Sequence, residues 1–167
     1  TEDPFAIAAI RLLIFTGCRR NEILMLRWSN VDFEGRCLRL SDTKTGARIV
    51  HLGAPALDVL GRVERIPDNP WVICGKNPGA PLVNLRKAWL RIREHAGIED
   101  VRIHDLRHSF ASGAVTLGEG LPMIGKLLGH TQVRTTARYA HLAADPIKAA
   151  AERVSGSIAN LMNGGAV

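Results

Sequence analysis

Residues 127–141 read Leu127-Leu128-Gly129-His130-Thr131-Gln132-Val133-Arg134-Thr135-Thr136-Ala137-Arg138-Tyr139-Ala140-His141. A short helix over 122–128 is expected to stop at Gly129, because glycine adopts the left-handed conformation that a helix end needs. A turn or short helix from Thr135 to Ala140 then carries Tyr139, the only tyrosine in the chain. A phenol is a poor nucleophile at neutral pH, since its pKa lies near 10. It becomes useful where cationic donors neutralise the group it attacks. The competing reading is a half-buried packing residue, and Tyr139 alone does not separate the two.

Outward from this stretch the chain is helical on both sides. Asp145 and Pro146 form a helix start, with Asp as cap and Pro at the first position, and the alanine-rich helix they open runs to Met162. Ile147, Val154 and Ile158 are available for packing, and the last five residues fray. Upstream, a helix runs from Ile103 or His104 to Leu117. Residues 5–15 form an apolar helix ended at Thr16-Gly17, and 19–27 form a second with Ile23, Leu24 and Leu26 inward. Segments 36–41 and 47–52 read as two strands around a turn at Lys44-Thr45-Gly46. A helix from Pro55 to 64, a short strand at 71–74, a loop at 75–81 and a helix over 82–96 complete the pattern. The fold class is mainly α with a small antiparallel β-sheet.

Composition narrows the setting. The chain has 167 residues, enough for one domain with a real core. Residues are 46% hydrophobic but only 5% aromatic, so the core is built from Leu, Ile, Val and Ala. Cys18, Cys37 and Cys74 have neither disulfide nor metal-ligand spacing, which points to a reducing, cytoplasmic compartment. Cys18 reads as a small apolar residue. No stretch has a signal-peptide layout or the length to cross a bilayer. The net charge of +6 favours a polyanionic partner. The chain opens on Thr1-Glu2-Asp3-Pro4 and runs at once into a helix, as an excised domain would.

Several groups are placed to do chemistry. His104 and Arg107, three apart, share a helix face and can address one phosphate; equally, they form a surface cluster, or His104 caps its helix. Arg19 opens a helix just after Gly17, beside free backbone donors, with Glu22 one turn on; an ordinary Arg–Glu surface pair is the alternative. Arg20 faces elsewhere. Lys44, at the hairpin tip, can swing to protonate a leaving oxygen or remain a solvated turn lysine. His130 can donate to a phosphate or fix its loop on a backbone carbonyl, and His95, His108 and His141 compete for any histidine role. Acidic and thiolate ligands at metal spacing do not accompany the histidines, so neither a metal nor a cofactor is expected.

Taken together, Thr16-Gly17-Cys18-Arg19-Arg20-Asn21-Glu22-Ile23, Asp42-Thr43-Lys44-Thr45-Gly46, His104-Asp105-Leu106-Arg107-His108-Ser109-Phe110-Ala111, Leu127-Leu128-Gly129-His130 and Thr136-Ala137-Arg138-Tyr139-Ala140-His141 resemble the catalytic domain of the tyrosine recombinases, the phage integrase family. The likeness covers residues from about 5 to 145. It implies that Arg19, Lys44, His104, Arg107, His130 and Tyr139 are catalytic, that Glu22 supports Arg19, and that residues 1–167 are a catalytic domain whose amino-terminal DNA-binding domain is absent. The segment 145–167 is then the part that packs between protomers or on its own domain.

The resemblance also implies site-specific cleavage and rejoining of double-stranded DNA through a 3′-phosphotyrosyl intermediate, without metal. The protein would be a monomer or weak oligomer as an isolated domain and a tetramer on paired sites. The tail and the loop 75–81 lean towards a bacterial prophage-type integrase acting at the nucleoid. Relaxation of the type IB topoisomerase kind is the second enzymatic reading, and a DNA-binding domain without catalysis the third. Two structural expectations follow. Arg19, Lys44, His104, Arg107 and His130 should line one basic concavity. Tyr139, on a segment with few large apolar anchors, should stand away from that concavity when no DNA is bound.

Overall fold

The computed structural model, which describes residues 2–41, 46–142 and 146–162, combines helices with a small sheet. Helix α1 spans Pro4–Thr16. Asp3 caps it, its Oδ1 accepting from the Phe5 N–H at 2.8 Å, and Pro4 occupies the first turn, where its missing N–H costs nothing. Ala6, Ala9, Ile10, Leu12 and Leu13 are all buried, so this helix is covered on most sides. Its neighbours are α2 (Arg20–Leu24), α3 (Ala54–Arg62), α4 (Arg86–His95) and α5 (Asp105–Thr116). The chain continues through α6 (Leu121–Leu128), α7 (Val133–Ala137) and α8 (Pro146–Met162).

Strands β1 (Val31–Asp32), β2 (Cys37–Leu40) and β3 (Arg48–His51) form an antiparallel sheet in that order. In the β2–β3 ladder Cys37 faces His51 and Leu40 faces Arg48. The two expected strands are therefore present, and the two-residue β1 adds an edge. The turn that would carry Lys44 lies outside the described residues.

Two expected helices are shorter than their apolar patterns. The second stops at Leu24 because the backbone beyond it is claimed by residues 70–72. Val72 N–H donates to the Leu26 carbonyl at 2.8 Å and Trp28 N–H to that of Pro70 at 2.9 Å, so Leu26 is buried in extended chain. The helix expected over 82–96 starts at Arg86 because Leu82 N–H pairs with the Ile73 carbonyl at 2.8 Å and Asn84 accepts from the Arg86 N–H. The segment 71–74 forms isolated bridges, Trp71 with Arg27 and Cys74 with Pro81, in place of a strand.

Two apolar clusters make up the core. The larger joins α1, the sheet, α3 and α4; the smaller contains Ala111, Ala114, Val115, Ile124, Leu128 and Tyr139. Helix α5 gives Leu106 to the first and its later turns to the second, and so fixes one cluster against the other. In α8, Val154 and Ile158 are exposed, so among the described residues these two do not pack on this core. The side chain of Ile147, and Asp145 entire, lie outside the described residues. No helix among the described residues is long and apolar enough to cross a membrane.

Candidate active site

The end of α1 sets the first part of the site. Gly17 takes a left-handed conformation (φ 61°) and its N–H donates to the Leu13 carbonyl at 3.1 Å. A Cβ there would lie 2.6 Å from the Phe110 ring, so glycine also lets α5 approach. The chain then turns at once into α2 with Arg19 as its cap residue. Glu22 Oε2 accepts from the Arg19 backbone N–H at 2.8 Å, and its Oε1 accepts from Arg19 Nη1 at 2.9 Å. This is more than the surface ion pair that spacing alone allows, since the Glu22 side chain is only 6% exposed.

A third donor to Glu22 comes from Arg48 on β3, Nη2 to Oε2 at 3.0 Å. Arg48 was not singled out in the sequence, yet its side chain is only 10% exposed. Its Nη2 also lies 3.4 Å from Cys18 Sγ, and its Nε and Nη1 are buried with no hydrogen-bond partner among the described residues. Its guanidinium rests against Gly129 so closely that a Cβ at Gly129 would fall 2.1 Å from Nη1. Arg48 thus ties the strand after the hairpin to both the Arg19 segment and the Gly129-His130 segment. The signal was available in strand alternation: Ile49 and His51 are exposed, while Val50 is buried, and the Arg48 side chain is only 10% exposed.

Arg107 lies where three motifs meet. It is 5% exposed, its Nη1 donates to the Gly17 carbonyl at 2.6 Å, and its Nη2 donates to the Leu128 carbonyl at 2.7 Å. Two of the five N–H donors of the guanidinium are so committed to backbone, which fixes its plane and leaves the others for a ligand. Burial, reinforced by the positive charges of Arg19 and Arg48, pushes its pKa down to about 10. Arg107 therefore remains a cation at neutral pH, in a setting that favours a bound anion.

His104 precedes α5 and makes no side-chain cap bond, so the capping alternative falls; Asp105 instead accepts from the Arg102 N–H at 2.8 Å. Loss of hydration, then the neighbouring His108 and Arg107, hold the His104 imidazole below its ordinary pKa. His130 follows the left-handed Gly129, and its Nδ1 lies 2.9 Å from Thr136 Oγ1. Its bond thus goes to a side chain, not to a carbonyl. Burial, then Arg107 and Arg19, push its pKa down to about 4, so it is neutral at pH 7.

Tyr139 is 5% exposed within the smaller core cluster, and its hydroxyl lies 2.6 Å from His108 Nδ1. The expectation of a segment with few anchors is corrected here: Tyr139 and the 1% exposed Thr136 are themselves the anchors, one packed on α5 and α6, the other bonded to His130. Burial pushes the phenol pKa up, with Arg138 and Arg107 opposing.

An open cleft of about 930 Å³ is lined by Arg19, His104 and Arg107 among others, with Arg20, Arg27 and Trp71 along its wall. Three of the five residues expected around one concavity are therefore together. His130 feels the charge of Arg107 but is not on the lining, Tyr139 is likewise off the lining, and Lys44 lies outside the described residues. Arg20 is exposed, as expected, though it borders the cleft. Arg91, away from the cleft lining, is engaged with Glu2, its Nη2 donating to Oε2 at 2.7 Å. Among the described residues no group of three or more His, Cys, Asp or Glu is arranged to hold a metal.

A mostly helical domain with a three-stranded antiparallel sheet of this kind is the fold of tyrosine recombinase catalytic domains. The crystal structure of a XerA recombinase superimposes with a TM-score of 0.71 at 26% identity, covering 90% of this chain and 58% of that one. The chain belongs to the phage integrase family, whose profile matches residues 5–145. The tyrosine recombinase XerA of Saccharolobus solfataricus is 33% identical over 144 residues, which are 83% of this chain and 46% of that protein. The XerH site-specific recombinase bound to its difH substrate, in a pre-cleavage complex, gives a TM-score of 0.68 at 26% identity, covering 89% of this chain and 46% of that one. The chain thus spans about half the length, or less, of the curated relatives it matches.

Proposed function

We propose that this chain is the catalytic part of a site-specific recombinase that breaks and rejoins double-stranded DNA through Tyr139. The phenol oxygen attacks the scissile phosphorus. The P–O5′ bond breaks, giving a 3′-phosphotyrosyl link and a 5′-oxygen that leaves with a proton. The phosphodiester bond is exchanged and not hydrolysed, so rejoining needs no nucleoside triphosphate. Arg19 and Arg107 neutralise the non-bridging oxygens as charge builds on them, and His104 assists at the cleft. His130, near Arg107, supports the phosphate-binding groups, and Lys44 is the acid for the leaving oxygen, a role resting on sequence resemblance.

The observation that carries this reading is the double anchorage of Arg107 on the carbonyls of Gly17 and Leu128. It gathers residues far apart in sequence around one cationic cleft, with the only tyrosine in the adjoining cluster. Partners follow from the same reading. The polyanion is duplex DNA, consistent with the DNA complex of the XerH relative. The working assembly is a tetramer on paired sites, formed from a monomer or weak oligomer. The exposed Val154, Ile158 and Met162 of α8 offer an apolar stripe for a neighbouring copy. The setting is the bacterial cytoplasm, at the nucleoid.

The test is covalent trapping on a nicked duplex whose cleaved end diffuses away. The full chain should accumulate a protein–DNA adduct, and Tyr139→Phe should accumulate none. An adduct of undiminished yield from Tyr139→Phe sinks the proposal. Binding without any adduct would favour a DNA-binding domain, and relaxation of supercoils by the monomer without recombinants would favour a topoisomerase.

A further inference from the structure

We propose that His108 is the catalytic group that takes the proton from Tyr139. The inference rests on Tyr139 being the nucleophile and adds the base that such a nucleophile requires. A buried neutral phenol cannot attack a phosphodiester at useful rates without losing its proton as the O–P bond forms. His108 Nδ1 is already within 2.6 Å of the Tyr139 hydroxyl. The other histidines are placed less well for this work. His130 has its Nδ1 on Thr136 Oγ1, and His104 stands on the cleft, one ring further from the phenol.

The arrangement also provides an exit for the proton. The His104 and His108 rings meet edge to face with centroids 5.0 Å apart, and the His108 and Tyr139 rings are 5.9 Å apart. The phenol, the half-buried His108 and the exposed His104 form a file from the core to the cleft. Both histidines come from the His104–His108 stretch at the head of α5, four apart, and so lie on one face of its first turn.

The step balances without a further reactant. The proton passes from Tyr139 Oη to His108 Nδ1. The Oη–P bond forms, the P–O5′ bond breaks, and the electron pair departs on O5′, which gains a proton from the acid. Rejoining runs the same transfers backwards, His108 returning the proton to the phenol oxygen. This requires the tautomer of His108 with a bare Nδ1 before cleavage.

The experiment measures single-turnover cleavage by the full chain on the nicked trapping duplex. His108→Ala should slow adduct formation by roughly 100-fold or more, the scale of a lost general base. Free imidazole should restore part of the lost rate, because a small base can enter the space vacated. A 5′-phosphorothiolate at the scissile position should not restore it, because a thiolate leaving group relieves only the need for an acid. If His108→Ala melts below the assay temperature, His108→Gln is read by rate and by the same phosphorothiolate comparison. A variant within about 3-fold of wild type overturns the inference, as does a folded, slow His108→Ala that imidazole leaves slow, or either variant rescued by the phosphorothiolate. Failure of wild type to form any adduct would instead count against the recombinase reading, so the two failures are distinguishable.

Discussion

In the proposed reading, Arg107 is structural and chemical at once. Its two carbonyl bonds hold the guanidinium in place before any DNA arrives, so little reorganisation remains when phosphate charge develops. Arg107→Ala should therefore lower the cleavage rate by roughly 100- to 1,000-fold, while DNA affinity, which depends on many phosphate contacts, falls far less. Paired measurements of single-turnover rate and binding check this; equal losses in both would show that Arg107 only binds. Arg107→Lys should not recover the rate, because one ammonium cannot reproduce the planar fork that spans Gly17 and Leu128.

His130 gives a pH signature at the same scale. Its pKa is about 4 in the fold against an ordinary value of 6.5. A depressed pKa contributes stability that is fully present above the unfolded value and is lost as pH falls towards the folded one. Denaturation midpoints should fall between about pH 6.5 and 4, and His130→Gln should flatten part of that fall. His104, also held below its ordinary pKa, adds slope of the same sign in both proteins. Parallel midpoint curves for wild type and His130→Gln would contradict the assignment.

Among the elements, the sequence was most legible where helix ends carry their own chemistry. Thr16-Gly17 and Leu128-Gly129 announce helix ends, and α1 and α6 end there. It was least legible where backbone bonding is decided by distant chain, as at Leu26 and Leu82, whose apolar spacing reads as helix. The same limit applied to Tyr139. The local sequence shows few large apolar neighbours, and only the packing of Tyr139 against α5 and α6 reveals that the residue is buried. Arg48 illustrates the converse. The strand pattern placed it on the inner side with Val50, but a charge on a buried face needs its partner, Glu22, to make sense.

The contact between β3 and the end of α6 can be isolated with two glycines of matching backbone. Gly97 and Gly129 both have φ 67°, but a Cβ at Gly97 meets nothing within 4 Å, while at Gly129 it meets the Arg48 guanidinium. Gly97→Ala should cost about 1–2 kcal/mol, the left-handed penalty alone. Gly129→Ala should cost more, by roughly 1–3 kcal/mol, because an off-position guanidinium disturbs its bond to Glu22. Chemical denaturation of the two variants compares them directly. Equal losses would mean that Arg48 moves aside freely and does not tie the segments together.

At the scale of the whole molecule, the two apolar clusters divide the labour. The larger holds α1, the sheet and the Arg19 segment; the smaller holds Tyr139; and α5 carries Arg107 and His108 between them. The fold class, the order of the elements and most of the charged cluster were legible in the sequence, because they rest on motifs with local geometry. The enclosure of Tyr139, the hidden Arg48 and the contact with His108 were not, because each is made between elements. The stripe on α8 belongs to this scale too, since Val154, Ile158 and Met162 gain burial only against something outside this core.

The central claim is that Tyr139 carries the DNA strand, and the chain offers an unusually clean test because it has no other tyrosine. The measurement is mass spectrometry of the trapped protein–DNA adduct after digestion with nuclease and trypsin. The account predicts that the added mass resides on the peptide 139–148, on the phenol oxygen, as a nucleotide joined through its 3′-phosphate. A nucleotide attached to a histidine or serine, or joined through its 5′-phosphate, would contradict it.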